Sequence, residues 1–493
     1  MFQKILIANR GEIAVRVIQT CRDIGIPTLA LYDPSDRESL HVRLADECVM
    51  LESSDSFMDY EAILGIAREY GADAIHPGYG FLAEEQAFIL ACEEARIKFI
   101  GPPASVVNAM CGKIEVLAVA RAAGIPTVEN SPVSFSADEF DALREAAESM
   151  GYPLIVKSCR GGRGPGERLI LSSDRLEDAV RRAQGEAQAV FGDPQVYLEK
   201  AIVPAHQVGV QVVGDSHGNL IHLGAREGSL IYGNRKAIEE TPAPCLNADQ
   251  RERLLETALE LAGLFDYQNV GTVEFLVDAK GQFFFTEIKA RIQTEHPLTE
   301  TVARIDLVRE QIRIAAGEPL SLTQDQVDLQ GWSMSCRISA VDPERRFLPS
   351  PGRLDNVRLP GGPGVRVDTY VYSGCTIPAE YNPVIAKLTV WGEDRQMCVA
   401  RMRRALEDFV ITGTQTNLPW LQSVLNSPDF LEGGYTTDFL SHPFEYVDVP
   451  EVHLRDLAAI TAVLYARRNQ MFNPTVPERL LSGWHRSSRR LPE

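Results

Sequence analysis

At 493 residues the chain exceeds what one hydrophobic core can organise, so three or four domains are expected. A composition of 45% hydrophobic and 24% charged residues is that of a soluble globular protein, and a net charge of −19 excludes general binding to nucleic acid or an anionic membrane. Nine scattered cysteines without a CxxC pair point to reduced thiols rather than a disulfide frame or a zinc site, and no apolar run reaches membrane-spanning length, so a cytoplasmic location is expected.

Residues 4–8 read as a short buried strand, and Asn9-Arg10-Gly11 turns it into a helix over 12–24. A second strand at 28–32 completes a βαβ unit, and the pattern recurs through 73–76 and 98–100. There is no GxGxxG. The informative loop is 76–82, HPGYGFL, because open α/β sheets bind ligands beyond the carboxyl ends of their strands. A tight turn around a packed aromatic accounts for it equally well.

The texture changes near Cys111. Lys113 falls in a helix, 138–149 is another, and a strand at 153–157 runs into a loop holding Arg160, Gly161, Gly162, Arg163, Gly164 and Pro165. Without a GK[ST] ending this is no P-loop, and it reads as a mobile lid over a nucleotide or as a flexible hairpin tip. A strand at 196–200 ends in Glu199 and Lys200. Strands at 207–213 and 220–225 begin a β-rich block that contains Arg226, Arg235 and Lys236; an amphipathic helix over 302–316 closes it. A further α/β unit spans about 332–440, with strands at 333–338 and 387–391. The tail carries a helix over 454–468 and is locally basic, with seven arginines against four acids in 451–493, which suits docking to an acidic surface or a solvated end.

The most informative stretch is 271–299. Strands at 272–277 and 283–288 flank Asp278-Ala279-Lys280-Gly281, and a two-residue turn at Lys280-Gly281 would set Glu274 opposite Glu287. Like charges in opposed positions destabilise a ladder, and a divalent metal bridged to phosphate oxygens would relieve the conflict. Period-two alternation places Glu287, Lys289, Arg291, Gln293 and Glu295 on one face for as long as the strand stays extended. The competing reading is the solvated face of an ordinary hairpin.

The segments at 7–14 (IANRGEIA), 76–82, 291–297 (RIQTEHP) and 348–352 resemble biotin carboxylase, the ATP-grasp component of acyl-CoA and pyruvate carboxylases, and the likeness is collinear from residue 1 to about 445. It implies an α/β ATP-grasp fold with an N-terminal Rossmann-like domain (1–112), a lid region (113–203), an ATP-grasp body (204–330), a C-terminal biotin carboxylase domain (331–445) and a basic helical tail (446–493). The implied reaction joins ATP and bicarbonate into carboxyphosphate and then carboxylates N1 of biotin. On matching positions Lys113, Lys157, Gly161, Gly162 and Gly164 would hold phosphates, and Glu199, Lys200 and Ile202 would border adenine. Glu274 and Glu287 would hold Mg²⁺ or Mn²⁺. Lys236, Arg291, Gln293 and Thr294 would bind bicarbonate with Glu295 as general base, Arg337 would steady the biotin enolate, and Tyr79 would border the biotin pocket. No Ala-Met-Lys-Met-like site appears, so a separate biotin carboxyl carrier protein and a carboxyltransferase subunit are implied, with a homodimer or a pairing with an active paralogue.

The chain departs from the family pattern within that site. Lys289 stands where the family has Asn, Asn234 where it has a phosphate-side His, Ile231 where it has Gln, and Gln207 where it has a ribose-contacting His. Arg160 and Pro165 interrupt the glycine lid. On these residues the chain is either an active biotin carboxylase or a catalytically impaired pseudoenzyme with a structural or regulatory role, and another ATP-grasp ligase is a third reading.

Overall fold

Short apolar strands alternating with helices give the N-terminal segment a five-stranded parallel sheet in the order β3-β2-β1-β4-β5, with β1 at Ile5–Ile7, β2 at Thr28–Tyr32, β3 at Glu47–Met50, β4 at Ala74–His76 and β5 at Lys98–Phe99. The chain is described by a computed structural model over residues 1–159, 168–232, 235–441 and 451–471. Strand β1 is sealed on both sides, as a near-continuous apolar run in a parallel sheet requires. Helix α1 (Gly11–Asp23) starts directly after β1, and the 76–82 loop leaves β4 at the same sheet end. Asn9 ties the two loops together by donating from Nδ2 to Pro77 O (2.7 Å) and Tyr79 O (2.9 Å). Gly78 belongs in that contact: its φ is +63°, and a Cβ there would lie 2.9 Å from Asn9 Nδ2.

A three-stranded antiparallel sheet follows, ordered β7-β6-β8, from β6 (Leu154–Ser158), β7 (Arg168–Ile170) and β8 (Val196–Lys200). It covers its own small core of Leu143, Val156, Val180 and Leu198. The central feature is an eight-stranded antiparallel sheet. It contains β9 (Ala205–Gly214), β10 (Leu220–Tyr232), β11 (Arg235–Thr241), β12 (Asn269–Asp278), β13 (Phe283–Lys289) and β14 (Trp332–Ser339) in the order β13-β12-β9-β10-β11-β14, and continues through strands Val384–Gly392 and Val365–Thr369. One sheet therefore runs from the carboxylate hairpin to the C-terminal segment. Among the described residues no helix is long and apolar enough to cross a membrane.

The single helix expected over 302–316 is two helices, His296–Ala303 and Leu307–Ala315. Arg304 takes a left-handed conformation (φ 55°), and Asp306 caps the second helix by accepting the Arg309 N–H at 2.9 Å. The apolar spacing continues through this break, so periodicity alone does not reveal it. The C-terminal helix Glu451–Met471 belongs to a separate unit, Phe444–Glu493, and carries Leu457, Ile460, Leu464 and Tyr465 exposed.

The N-terminal segment is fastened to the end of the large sheet by a buried ion pair. Lys387 Nζ, on strand Val384–Gly392, sits 2.8 Å from Glu12 Oε2 of α1, with both side chains almost fully sealed. At that distance in a low-dielectric interior the attraction is chiefly Coulombic. Lys387→Met should cost about 3–5 kcal/mol of unfolding free energy, because it leaves a buried carboxylate uncompensated. Adding Glu12→Gln should restore more than half of that loss in urea denaturation; a double variant no more stable than the single one would show that the pair is not the cause.

Candidate active site

The carboxylate hairpin forms by a different route from the predicted one. The connection is a three-residue loop, Ala279–Lys280–Gly281, closed by the Asp278 N–H on Gln282 O at 2.9 Å. Asp278 Oδ1 draws this loop in by accepting the N–H groups of Lys280 (2.8 Å) and Gln282 (2.9 Å). That loop alone would displace every pair by one residue. Pairing indeed runs Val277↔Phe283, Leu276↔Phe284 and Phe275↔Phe285, then jumps to Glu274↔Glu287. Thr286 is the extra residue of a bulge, and its Oγ1 donates to Glu274 O at 2.9 Å. Glu274 therefore does face Glu287, through two compensating irregularities.

Each of these carboxylates has cations or amides on it. Lys289 Nζ bonds Glu287 Oε2 at 2.7 Å, so the shared face holds an internal ammonium. Burial lifts the Glu287 carboxyl, but Lys289, Lys113 and Lys157 together hold it far below the usual range. Glu274 Oε1 accepts from Gln293 Nε2 (2.8 Å) and Lys236 Nζ (3.3 Å), and its Oε2 from Gln207 Nε2 (3.3 Å). Lys236 also bonds Glu295 Oε1 at 2.8 Å, and Arg337 Nη2 bonds Glu295 Oε2 at 3.0 Å and Glu239 Oε2 at 3.1 Å. Strand β13 ends at Lys289, so alternation does not extend beyond it; Gln293 and Glu295 reach the cluster from the turn that follows. Arg291 is turned onto Glu84, with Nε 2.8 Å from Oε2.

The two carboxylates fit a divalent cation shared with phosphate oxygens. A carboxylate offers about four lone-pair sites, more than these contacts occupy, and 23% of the Glu287 side chain is open. The Lys289 ammonium on Glu287 competes with such an ion, as does, at a longer distance, the Lys236 ammonium on Glu274.

Around this cluster, Lys113 Nζ donates to Ser158 O at 3.2 Å, and Lys157 Nζ lies 2.6 Å from Glu199 Oε2. Glu199 also accepts from Tyr197 Oη at 2.7 Å. The Lys200 ammonium binds the carbonyls of Met150, Gly151 and Tyr152 at 2.8–3.3 Å, capping helix Phe140–Met150, while Ile202 follows β8 half-buried. Ile231 pairs with Lys236 across β10 and β11. Arg160, Gly161, Gly162, Arg163, Gly164, Pro165 and Asn234 lie outside the described residues, as do Trp484, Arg489 and Arg490 of the tail.

A cavity of about 360 Å³ opens beside Arg337 and brings together Tyr79, Thr294, Arg10 and, from the C-terminal segment, Tyr370 and Tyr381. Arg10 stacks on the Tyr381 ring at 4.0 Å and bonds Asp36. Tyr370, Tyr381 and Glu239 escaped the sequence reading, as did the role of Arg226. Arg226 is buried and donates to Gln211, Thr272, Thr299 and Gln293 Oε1, so it fixes the amide that holds Glu274. A cationic residue within an apolar strand was the available signal for Arg226; the aromatics gave none.

Comparison with known proteins agrees with this geometry. The family profile for the biotin carboxylase N-terminal domain matches residues 1–107, the ATP-binding domain of the carbamoyl-phosphate synthase L chain matches 113–323, and the biotin carboxylase C-terminal domain matches 335–442. A biotin carboxylase of Nostoc is 44% identical over 442 residues, 89% of this chain and 98% of that protein, and biotin carboxylase 1 of Bacillus subtilis is 42% identical over 445 residues with the same coverage. Among solved structures, the biotin carboxylase domain dimer of Hydrogenobacter thermophilus 2-oxoglutarate carboxylase, in complex with MgADP, ADP and bicarbonate, superposes with a TM-score of 0.88 at 40% identity over 91% of this chain and all of that one. The Campylobacter jejuni biotin carboxylase complex with a β,γ-ATP ligand gives 0.86 at 39% identity, covering 90% and 99%. With three consecutive domain profiles in order, near-complete coverage of relatives above 40% identity, and the same fold over 91% of its length, this chain belongs to the biotin carboxylase family.

Proposed function

We propose that the chain uses ATP and bicarbonate to carboxylate biotin carried on a separate carrier protein, as the ATP-grasp subunit of a biotin-dependent carboxylase. The observation that carries this reading is the placement of Glu295. It sits between Lys236 and Arg337, with the Glu274–Glu287 pair on one side and the Tyr79–Tyr381 cavity on the other. The domain limits proposed are a lid near 113–203, a body near 204–330 and a C-terminal domain near 331–445; the profile matches to 113–323 and 335–442 support the outer limits of the ATP-binding and C-terminal parts. A carboxyl carrier protein and a carboxyltransferase are the partners this activity requires, and a homodimer is the assembly the Hydrogenobacter domain suggests.

Lys236 would hold bicarbonate with Gln293, Thr294 and, once released from Glu84, Arg291; Arg337, bonded to Glu295, would assist as the second cation on that acid. Burial raises the Glu295 carboxyl, but Lys236, Arg337 and Arg226 outweigh it and keep the group well below the usual range. So held, Glu295 is ionised but weakly basic. When bicarbonate takes over the two cations, Glu295 loses its counter-charges and gains the basicity needed to remove the bicarbonate proton. The deprotonated oxygen then attacks the γ-phosphorus, ADP leaves, and carboxyphosphate forms. Magnesium bound with the nucleotide would screen the phosphate charge, and Glu274 and Glu287 would hold it. Arg337, at the mouth of the aromatic cavity, is placed to steady the biotin enolate.

Three acids (Glu239, Glu274 and Glu295) share two direct cations in this knot, so the cluster retains a proton. Burial and the neighbouring Glu295 charge push the Glu239 carboxyl up to about 7. The folded state then binds a proton that the unfolded chain has already released, so stability falls as pH rises from the ordinary carboxylate range through about 7.

Bicarbonate-dependent ADP release with free biotin tests the proposal directly. Glu295→Gln should lower it by about 10²–10³-fold while leaving the thermal shift induced by MgATP intact. ATP cleavage indifferent to bicarbonate would overturn the reading. Lys289→Asn should tighten Mn²⁺ binding in the presence of ADP, followed by electron paramagnetic resonance, by about tenfold; unchanged affinity would mean that the Lys289 ammonium does not compete with the metal. Relative to wild type, Glu239→Gln should gain on the order of 1 kcal/mol between pH 6 and pH 8, seen as a flatter dependence of melting temperature on pH.

A further inference from the structure

Among the described residues, every glutamate sealed from solvent has a lysine or arginine on it, with one exception. Lys387 serves Glu12, Lys236 serves Glu274 and Glu295, and Arg395 serves Glu240. The exception is Glu227 on β10, which is fully buried. Ser229 Oγ donates to its Oε1 at 2.8 Å and the Cys245 N–H to its Oε2 at 3.1 Å, both neutral donors. The Cys245 thiol also bonds this carboxylate, and His206 Nδ1 lies 2.6 Å from Oε1. Glu227 also faces Glu240 across the β10–β11 ladder, which adds a second acid to the neighbourhood, although Arg395 already serves that one. Buried carboxylates are paired with a cation or coordinate a metal.

What surrounds Glu227 is a ligand set. An imidazole nitrogen of His206, a carboxylate oxygen of Glu227 and the Cys245 sulfur all lie within 4.8 Å of one another. Nitrogen, oxygen and sulfur in this proportion are the donors zinc accepts, whereas magnesium and calcium prefer oxygen alone. His206 and Cys245 are partly exposed, so an ion can enter from solvent and keep a water as its fourth ligand. The ligands come from two strands and the turn after β11, a spacing with no sequence signature.

We propose that His206, Glu227 and Cys245 form a second cation site, separate from the nucleotide carboxylates, that takes a thiophilic divalent ion such as zinc. Binding breaks the Cys245 S–H bond, forms a metal–sulfur bond and releases one proton to solvent. Ser229 links this site to the catalytic cluster: its hydroxyl donates to Glu227 and accepts the N–H of Gln207, whose side-chain amide reaches Glu274.

Cobalt(II) added to the chelator-treated full chain tests the site, because cobalt bound to a thiolate gives a sulfur-to-metal charge-transfer band in the near ultraviolet. One equivalent should produce the band, and zinc should abolish it. Cys245→Ser should lose the band, His206→Ala should weaken binding by about tenfold or more, and Cys48→Ser, at an exposed cysteine remote in sequence from the site, should change neither. Absence of the band, or a band that survives Cys245→Ser in a folded variant, would overturn the proposal.

Discussion

The Lys236 ammonium lies within 3.5 Å of three carboxylates that would otherwise repel one another: Glu239, Glu274 and Glu295. These acids come from three separate parts of the chain, yet all are sealed from water. Concentrating negative charge in a low-dielectric interior is tolerable only because a flexible, compact cation can touch several acids at once. Arg337 works differently, with one nitrogen bridging Glu239 and Glu295 from the far side. Together they turn a costly arrangement into a poised one. Cations whose partners are displaceable can be handed to an anionic substrate without large rearrangement, which is the preorganisation that phosphoryl chemistry requires.

The same economy explains how the rest of the molecule is built. The eight-stranded sheet supplies Glu274 and Glu287 at one end and Arg337 towards the other, so relative positions of groups far apart in sequence are set by backbone ladders rather than by loops. The parallel N-terminal sheet contributes loops, where ligand contact needs shape more than rigidity. Arg226 and Gln293 are the intermediate layer: a buried guanidinium fixes an amide, and the amide fixes a carboxylate.

Much of this was legible in the sequence because it is local or periodic. The opening βαβ pattern, the strands of the hairpin and the shared side of Glu287 and Lys289 follow from side-chain alternation and turn residues, whereas Gln293 and Glu295 reach the cluster beyond the end of β13. The opposition of Glu274 and Glu287 was inferred correctly from an incorrect turn, since an Asp278-centred loop and a bulge at Thr286 cancel. Other features depend on contacts that one-dimensional patterns do not encode. Tyr370 and Tyr381 meet Tyr79 across about three hundred residues of sequence. The break at Arg304 interrupts a helical pattern whose apolar spacing runs on undisturbed. Glu239 acquires its raised proton affinity only when folding buries it and brings Glu295 against it.

The Thr286 bulge carries a consequence for how this hairpin can vary. Asp278 and Gln282 close the loop, so a residue lost from or added to Ala279–Gly281 changes the turn but leaves Phe275 opposite Phe285 and Glu274 opposite Glu287. Loss of one residue from Phe283–Phe285 can be absorbed as well, by pairing Thr286 with Phe275, which abolishes the bulge and keeps the carboxylates opposed. The bulge is thus a reserve of slack between a tip free to change length and a carboxylate pair whose position is fixed.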